Sequence, residues 1–319
     1  MVEILVKNKK IIKVNSVDQI SADAMDFFAI QFVDYTDKYI NWAGKNFGIN
    51  CSLMRRYQDI EISSHVLIKN DQTAFHISIP HYCSKEKGKL IGSPIFFVMS
   101  DSGLFFFSTS AIEDFFNQEY SHKFSEQRVV TDIRNILMYH LEFISDYFAD
   151  ITESEARQIK RLSCSVLLEN KSSKEVSECI TTYNFNNLFL KESLLENTRV
   201  LNLYKKSVRE QDDVIKEFVD TELNDPAVVS DYIQFNFDRL DNLRENIQNK
   251  IDLEQNHIFK VLTVITLCLS LPAIITGIYW MNFINMPELD FPFGYPAVLL
   301  IMALSTILPY LYFKKKKWM

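Results

Sequence analysis

The chain has 319 residues, a formal net charge of −7 and a pI near 5.5. An acidic chain of this kind offers no general electrostatic support for nucleic-acid binding. It has seven glycines and no glycine-rich phosphate loop, and its six histidines join no nucleophile or metal motif. We therefore expect neither an enzyme nor a nucleic-acid partner.

The first 120 residues show the pattern of an α/β domain. Short apolar stretches bounded by turn residues predict strands at 3–14, 64–68, 74–79, 94–99 and 104–109. A helix is predicted over Phe28–Phe47, and the turn Asp101-Ser102-Gly103 predicts a hairpin between the last two strands. The sequence thus predicts a small sheet with helices packed on it over residues 1–120, which we assign to the cytoplasm.

The middle of the chain has a helical period. Apolar residues recur every three or four positions from about residue 125, which predicts a helical region over 121–225. Pro226 suits the first turn of a new helix, and the next proline is Pro272. One stalk helix over 226–282 is predicted, about 55 residues and roughly 80 Å long. Its apolar stripe is narrow, which is typical of a helix that packs against copies of itself.

Two apolar runs near the C-terminus predict a membrane hairpin. The first transmembrane helix lies within 261–281, a segment without a charged residue, and the second covers 296–313. Runs of about 18 to 20 residues cross a hydrocarbon core of about 30 Å. The loop at 283–295 carries only acidic charges, whereas Lys260 and the basic tail at 314–319 flank the spans. We therefore expect a multi-pass membrane protein with both termini in the cytoplasm.

Small and hydroxyl side chains share one face of the first span. They follow one another at three-to-four-residue spacing: Thr263, Thr266, Ser270, Ala273 and Gly277. Two interpretations stay open, close packing between helices and the wall of a path for a hydrated cation. The same spacing continues through Phe259, Asn256, Asp252, Gln248 and Glu245. The carboxylate and amide oxygens of this extension would concentrate cations, which favours a pore. Two spans cannot enclose a pore, so a homo-oligomer is predicted.

Several short motifs cluster in the last 60 residues. They are Gly277-Ile278-Tyr279-Trp280-Met281-Asn282-Phe283, Met286-Pro287-Glu288-Leu289, Gly294-Tyr295-Pro296 and the ending Lys314–Trp318. Together they resemble the CorA family of divalent-cation channels. The resemblance implies a funnel-shaped homopentamer in the inner (plasma) membrane, with the first spans around the pore. It also implies passive Mg²⁺ uptake, driven by the membrane potential and gated by cytoplasmic divalent cations, with Co²⁺, Ni²⁺ or Zn²⁺ as alternative cargo.

The resemblance assigns the pore mouth to Tyr279, Trp280, Met281 and Asn282. Asn282 would hold hydrated Mg²⁺ through water, because this ion gives up its waters reluctantly. Glu288 in the loop would gather cations outside the entrance. Trp280 departs from the family, which has glycine there, and an indole adds bulk where glycine permits close backbone approach. A non-conducting membrane scaffold or sensor of the same architecture therefore stays open as an alternative.

Further roles follow from the resemblance on the cytoplasmic side. Asn256 would be a polar pore position, and Phe259 and Leu262 would form apolar constrictions that gate by excluding water. Asp220 and Glu222 lie in an acidic tract near the position of the family's regulatory metal site between subunits. A solvated acidic loop is the alternative for these two residues. The partners implied are further copies of the chain, the lipid bilayer and divalent metal ions.

Overall fold

The computed structural model of the chain describes residues 1–7, 11–20, 26–55, 66–69, 71–84, 88–109, 132–168, 174–208, 213–281, 286 and 292–316. The chain divides into two compact units, Met1–Asn242 and Leu243–Met319. The domain boundaries predicted at residues 120 and 225 both fall inside the first unit, and they stay predictions.

A seven-stranded mixed sheet forms the centre of the first unit. Its strands are β1 (Val2–Val6), β2 (Ile11–Val14), β3 (Phe27–Val33), β4 (Val66–Lys69), β5 (Gln72–Tyr82), β6 (Leu90–Ser100) and β7 (Gly103–Ser108). Their order across the sheet is β2-β1-β3-β7-β6-β5-β4. Strands β3 and β7 run parallel, and the other neighbouring pairs are antiparallel. The predicted α/β architecture is confirmed.

The predicted hairpin joins β6 to β7. Ser100 pairs with Gly103 across a two-residue turn. Gly103 has a φ of +152°, and a Cβ atom built there would lie 2.5 Å from Cε2 of Phe27. The turn therefore requires glycine for its backbone conformation and for the close approach of the neighbouring strand.

The helix predicted over Phe28–Phe47 is wrong in its first part. Residues Phe27–Val33 form β3, and the helix α1 covers Asp37–Phe47 only. Strand β3 lies between β1 and β7, and its residues contribute to the cores on both faces of the sheet. A strand covered on both faces loses the alternation of apolar and polar residues that distinguishes it from a buried helix.

Helices cover both faces of the sheet, and each face has its own core. On one face α1 and the short α2 (Ser52–Arg55) pack against phenylalanines that include Phe96, Phe105 and Phe107. On the other face Phe75 and Phe97 pack against the helical region. Successive strand residues point to opposite faces, so neighbours such as Phe96 and Phe97 serve different cores.

In its described residues, the helical region contains three helices before the long one. They are α3 (Ile133–Leu168), α4 (Lys174–Ser207) and α5 (Asp213–Glu222). The next helix, α6, runs from Asn224 to Tyr279 over 56 residues and has Pro226 in its first turn and Pro272 in its interior. Its length and start agree with the sequence-based expectation of one long stalk helix.

The second unit contains the rest of α6 and the helix α7 (Gly294–Lys315). In the part of the chain that the structure describes, two helical runs, 213–279 and 294–315, are long and apolar enough to cross a membrane. Only 11% of the most apolar stretch of the first run is buried within the chain, and 0% of that of the second run is buried. Apolar helices with so little cover differ from the core helices of a soluble protein.

Candidate ion-conduction site

The residues predicted to line a cation path are all exposed on α6. They are Asn256, Phe259, Leu262, Thr263, Thr266, Ser270, Ala273 and Gly277. None of these side chains is packed away by the protomer itself. They are therefore available to water, lipid or a second copy of the chain.

The covered side of the first span faces the other way. Val264 is 1% exposed and Cys268 is 8% exposed, and Val261, Pro272 and Ile275 are half-buried. Successive helical residues are rotated by about 100°, so this covered side lies roughly opposite the face of small and hydroxyl residues. Within the protomer, one side of the first span is thus buried, and the predicted pore face on the opposite side is exposed.

Two hydroxyl groups on the predicted pore face bond back to their own helix. Thr263 Oγ1 donates to the carbonyl of Phe259 at 2.8 Å, and Ser270 Oγ donates to that of Leu267 at 3.2 Å. Because the hydroxyl protons are used within the helix, the oxygen lone pairs remain free to accept from water around a cation. A Cβ atom built on Gly277 meets nothing within 4 Å, so packing in the protomer does not require glycine there.

The ten residues before the first span, 251–260, are exposed all around the helix. They include large apolar side chains, with Leu253 70% exposed and Ile258 and Phe259 each 63% exposed. On the predicted pore side Asp252 accepts a hydrogen bond from Gln248 Nε2 at 3.0 Å.

The helix α6 ends at Tyr279, the first residue of the predicted pore mouth. The Trp280 amide donates to the Thr276 carbonyl at 2.9 Å, and the Met281 amide donates to that of Ile278 at 3.2 Å. Tyr279, Trp280 and Met281 are 37%, 87% and 53% exposed. The Trp280 indole is therefore not packed by its own chain. Asn282 and Glu288 lie outside the described residues.

The two predicted regulatory carboxylates lie in different surroundings. Asp220 is half-exposed and forms an ion pair with Lys205. Glu222, the last residue of α5, is 6% exposed. Burial raises the pKa of Glu222, and the carboxylates of Asp225, Glu142 and Asp146 raise it further, whereas the nearby Ser145 hydroxyl lowers it. The structure therefore does not bring Asp220 and Glu222 together.

Within the described ranges no group of three or more His, Cys, Asp or Glu side chains is placed to hold a metal ion. Asp220 and Glu222 thus form no metal site inside one protomer in the described part of the chain. A site completed by a neighbouring subunit stays a prediction.

One buried carboxyl group, that of Glu155, has no signal in the sequence. Glu155 on α3 is 0% exposed, and its Oε1 accepts from the Tyr82 hydroxyl at 2.9 Å and from Asn186 Nδ2 at 3.2 Å. Burial raises the pKa of Glu155, and the two hydrogen bonds only partly offset this. In the sequence Glu155 is one acid among many in an amphipathic helix, and no spacing signals its burial.

The chain is similar to a known protein family and to several individual relatives. The family model described as "CorA-like Mg2+ transporter protein" matches residues 26–315. A magnesium transport protein CorA of Wolinella succinogenes is 32% identical over 185 residues, or 58% of this chain and 57% of that protein. One of Helicobacter pylori is 36% identical over 133 residues, 42% of each chain. The chain thus spans about half the length of these relatives. The CorA protein of Pasteurella multocida is 25% identical over 82% of both chains.

Solved structures with the same fold extend the similarity to the full chain. The complete structure of the CorA magnesium transporter from Methanocaldococcus jannaschii has a TM-score of 0.80 at 19% identity and covers 100% of this chain and 98% of its own. The full-length CmaX protein has a TM-score of 0.70 at 12% identity, and the match covers 99% of this chain and 97% of that protein. At these identities the comparison establishes the fold: an α/β unit, a long helix and two candidate membrane helices.

Proposed function

Because the chain belongs to the CorA-like Mg²⁺ transporter family, we propose that it is a passive divalent-cation channel and that Mg²⁺ is its cargo. A membrane potential favours cation entry by about 2.3 kcal/mol per charge per 100 mV, so inward movement of a divalent ion needs no ATP. Passive conduction agrees with a chain of seven glycines that has no phosphate-binding loop.

The position of the covered face on the first span carries this proposal. Val264 and Cys268 are buried on one side, and the small and hydroxyl residues lie exposed on the other. Five copies that turn this second side toward a common axis would enclose a path lined by Thr263, Thr266 and Ser270. The second spans would form an outer ring, which agrees with an α7 in which every described side chain is exposed or half-exposed.

Ion selection is proposed to occur at the pore mouth. Five Asn282 side chains would present neutral oxygens to a hydrated ion, and Glu288 would gather cations outside. A wide ring of neutral oxygens suits Mg²⁺ because its first hydration shell is retained. Phe259 and Leu262, which are 63% and 56% exposed in the protomer, would form apolar constrictions farther along the path.

Gating is proposed to depend on cytoplasmic Mg²⁺ at subunit interfaces near Asp220 and Glu222. The negative charges of Asp225, Glu142 and Asp146 raise the pKa of Glu222, so added positive charge between subunits there would relieve repulsion. Bound cation would hold the ring closed, and its loss would let the long helices separate.

The proposed location is the inner (plasma) membrane with both termini in the cytoplasm. Support comes from charge, since Lys260 and the lysines from 314 onward flank the spans, while the connecting loop carries only Glu288 and Asp290.

A second candidate function follows from Trp280, which is 87% exposed where the family has glycine. Five inward indoles would narrow the mouth, which favours a non-conducting scaffold or sensor. Currents recorded from wild type and from Trp280→Gly separate the two functions. Conduction by wild type supports the channel, whereas conduction by the glycine variant alone supports the scaffold.

Flux into liposomes that contain the purified chain and a Mg²⁺-sensitive dye tests the main proposal. We expect Mg²⁺ entry that rises with an inside-negative potential, falls with internal Mg²⁺ and is blocked by cobalt hexammine, which mimics a hydrated ion. Entry of Co²⁺, Ni²⁺ or Zn²⁺ without Mg²⁺, and without a hexammine block, would reassign the cargo. Flux indifferent to internal Mg²⁺ would refute the gating mechanism.

A further inference from the structure

The C-terminal end of α7 is positively charged in an otherwise acidic chain. Lys314 and Lys315 form its last turn and Lys316 caps it, whereas the whole chain carries a net charge of −7. No Asp or Glu occurs from residue 291 to the end of the sequence. The three lysines are exposed, and none forms an ion pair with another residue in the described ranges. Their charge is therefore available to an external anion.

The three lysines are distributed around the helix. Consecutive helical residues are rotated by about 100°, so Lys314 to Lys316 cover roughly 200° of the circumference. A seam between two packed helices occupies a stripe of about 100°. At least one lysine of every chain must therefore face away from any single neighbouring helix.

Two tyrosines fix the depth of the ammonium groups. Lys314 Nζ lies 5.9 Å from the centre of the Tyr310 ring, and Lys316 Nζ lies 5.3 Å from that of Tyr312. The rings are 41% and 55% exposed, and each precedes its lysine by about one helical turn. Tyrosine prefers the interface between hydrocarbon and headgroups. The cation–π contacts hold the ammonium groups at this level.

We propose that this basic end, defined as Lys314, Lys315 and Lys316 with Tyr310 and Tyr312, binds the phosphate groups of anionic lipids in the cytoplasmic leaflet. Clusters of lysine next to a membrane helix attract anionic headgroups, with an effect on the order of fivefold in affinity per lysine. The inference rests on the membrane orientation in the proposed function, and it requires neither conduction nor a particular ion.

The test uses the full-length protein in detergent and counts bound lipid by native mass spectrometry. We expect wild type to bind phosphatidylglycerol and K314Q/K315Q/K316Q to bind it roughly a hundredfold more weakly, with phosphatidylcholine binding equal in both. The matched control K45Q/K69Q/K160Q removes three exposed lysines of the first unit and should bind like wild type. K314R/K315R/K316R should retain binding and shows that the altered helix end still folds.

Two results would overturn the inference. One is phosphatidylglycerol binding by K314Q/K315Q/K316Q at the wild-type level. The other is displacement of the lipid by millimolar glycerol 3-phosphate, which would assign the site to a soluble phosphate. Mg²⁺ flux measured on the same preparations separates this inference from the proposed function. Lysine-dependent lipid binding without flux refutes conduction alone, and flux with lysine-independent lipid binding refutes the lipid site alone.

Discussion

The two units of the molecule obtain cover for their apolar side chains in different ways. In the first unit Phe75, Phe97 and Phe107 are fully buried by the chain itself. In the second unit Val264 and Cys268 are buried, but Leu269, Leu300 and many like them are exposed. The buried apolar side chains of the first unit are those expected of a unit surrounded by water. The exposed apolar side chains of the second unit require cover from lipid or from further copies of the chain.

We expect this difference to separate the residues that determine folding from those that determine conduction. Substitutions in the first unit should act on the free energy of unfolding of the protomer. Substitutions on the exposed face of the first span should act on flux and leave that free energy nearly unchanged. Paired variants, one in each unit or on each face, can test this separation.

The largest expected effect is on the stability of the first unit. Phe75→Ala removes a buried ring that stacks on Phe97 at a centroid distance of 4.9 Å. We expect a loss of about 3–5 kcal/mol in the free energy of unfolding, measured by near-ultraviolet circular dichroism of the full chain. Phe259→Ala, a change at a 63% exposed ring, should cost less than about 0.5 kcal/mol. Equal losses from the two variants would contradict the separation.

The next effect concerns the pore mouth. Asn282→Ala should lower Mg²⁺ flux by about a hundredfold, since it removes the proposed ring of oxygens that holds the hydrated ion. Asn285→Ala, a change of the same type three residues later, is the matched control and should keep wild-type flux. Flux in liposomes with a Mg²⁺-sensitive dye is the measurement. Undiminished flux after Asn282→Ala would remove this residue from the conduction site.

A smaller effect is a change in the pH dependence of stability. Burial raises the pKa of Glu155 above its ordinary value of 4.5, so the folded protein holds a proton that the unfolded chain releases between the two values. Stability therefore falls as the pH rises from about 4.5 to the raised pKa. Glu155→Gln should remove this loss and gain about 1 kcal/mol at neutral pH, with no gain near pH 4.

Glu153→Gln is the control for this pH effect. Glu153 lies on the same helix, is 64% exposed and pairs with Arg157. Its substitution should shift stability by about 0.5 kcal/mol or less at every pH. Chemical denaturation at pH 4, 5, 6 and 7 compares the two variants. If Glu155→Gln raised the free energy of unfolding equally at all four pH values, Glu155 would not hold an extra proton in the folded protein.

The smallest effect is expected on the pore face. Thr263→Val removes a hydroxyl that bonds back to the helix and would accept from water in the path. We expect a flux decrease of about threefold with unchanged stability. Thr306→Val removes a comparable hydroxyl, which bonds to the Met302 carbonyl on α7, and should leave flux unchanged. A larger decrease in flux from Thr306→Val than from Thr263→Val would indicate that α7, and not α6, lines the path.

Much of the fold could be predicted from the sequence because its patterns are strong. The hairpin at Asp101-Ser102-Gly103, the start of α6 next to Pro226 and the two charge-free spans are each determined by local chemistry. The strand Phe27–Val33 was missed because both of its faces are covered, which removes the alternation that identifies a strand.

The candidate site could be predicted only in part. The face from Thr263 to Gly277 follows from helical spacing, since that spacing is a property of the sequence alone. The burial of Glu155 and Glu222 could not be predicted, because it depends on which helices meet in three dimensions. The ion pair of Asp220 with Lys205 joins two helices and has no sequence signal either.

The orientation of the first span is the central claim, and a charged thiol reagent tests it most directly. Ser270→Cys places a thiol on the proposed pore face, and Leu271→Cys places one about 100° away around the helix. In flux-competent liposomes we predict that a cationic methanethiosulfonate blocks Mg²⁺ flux through Ser270→Cys and spares wild type and Leu271→Cys. Block of Leu271→Cys with Ser270→Cys unaffected would contradict the proposed pore face.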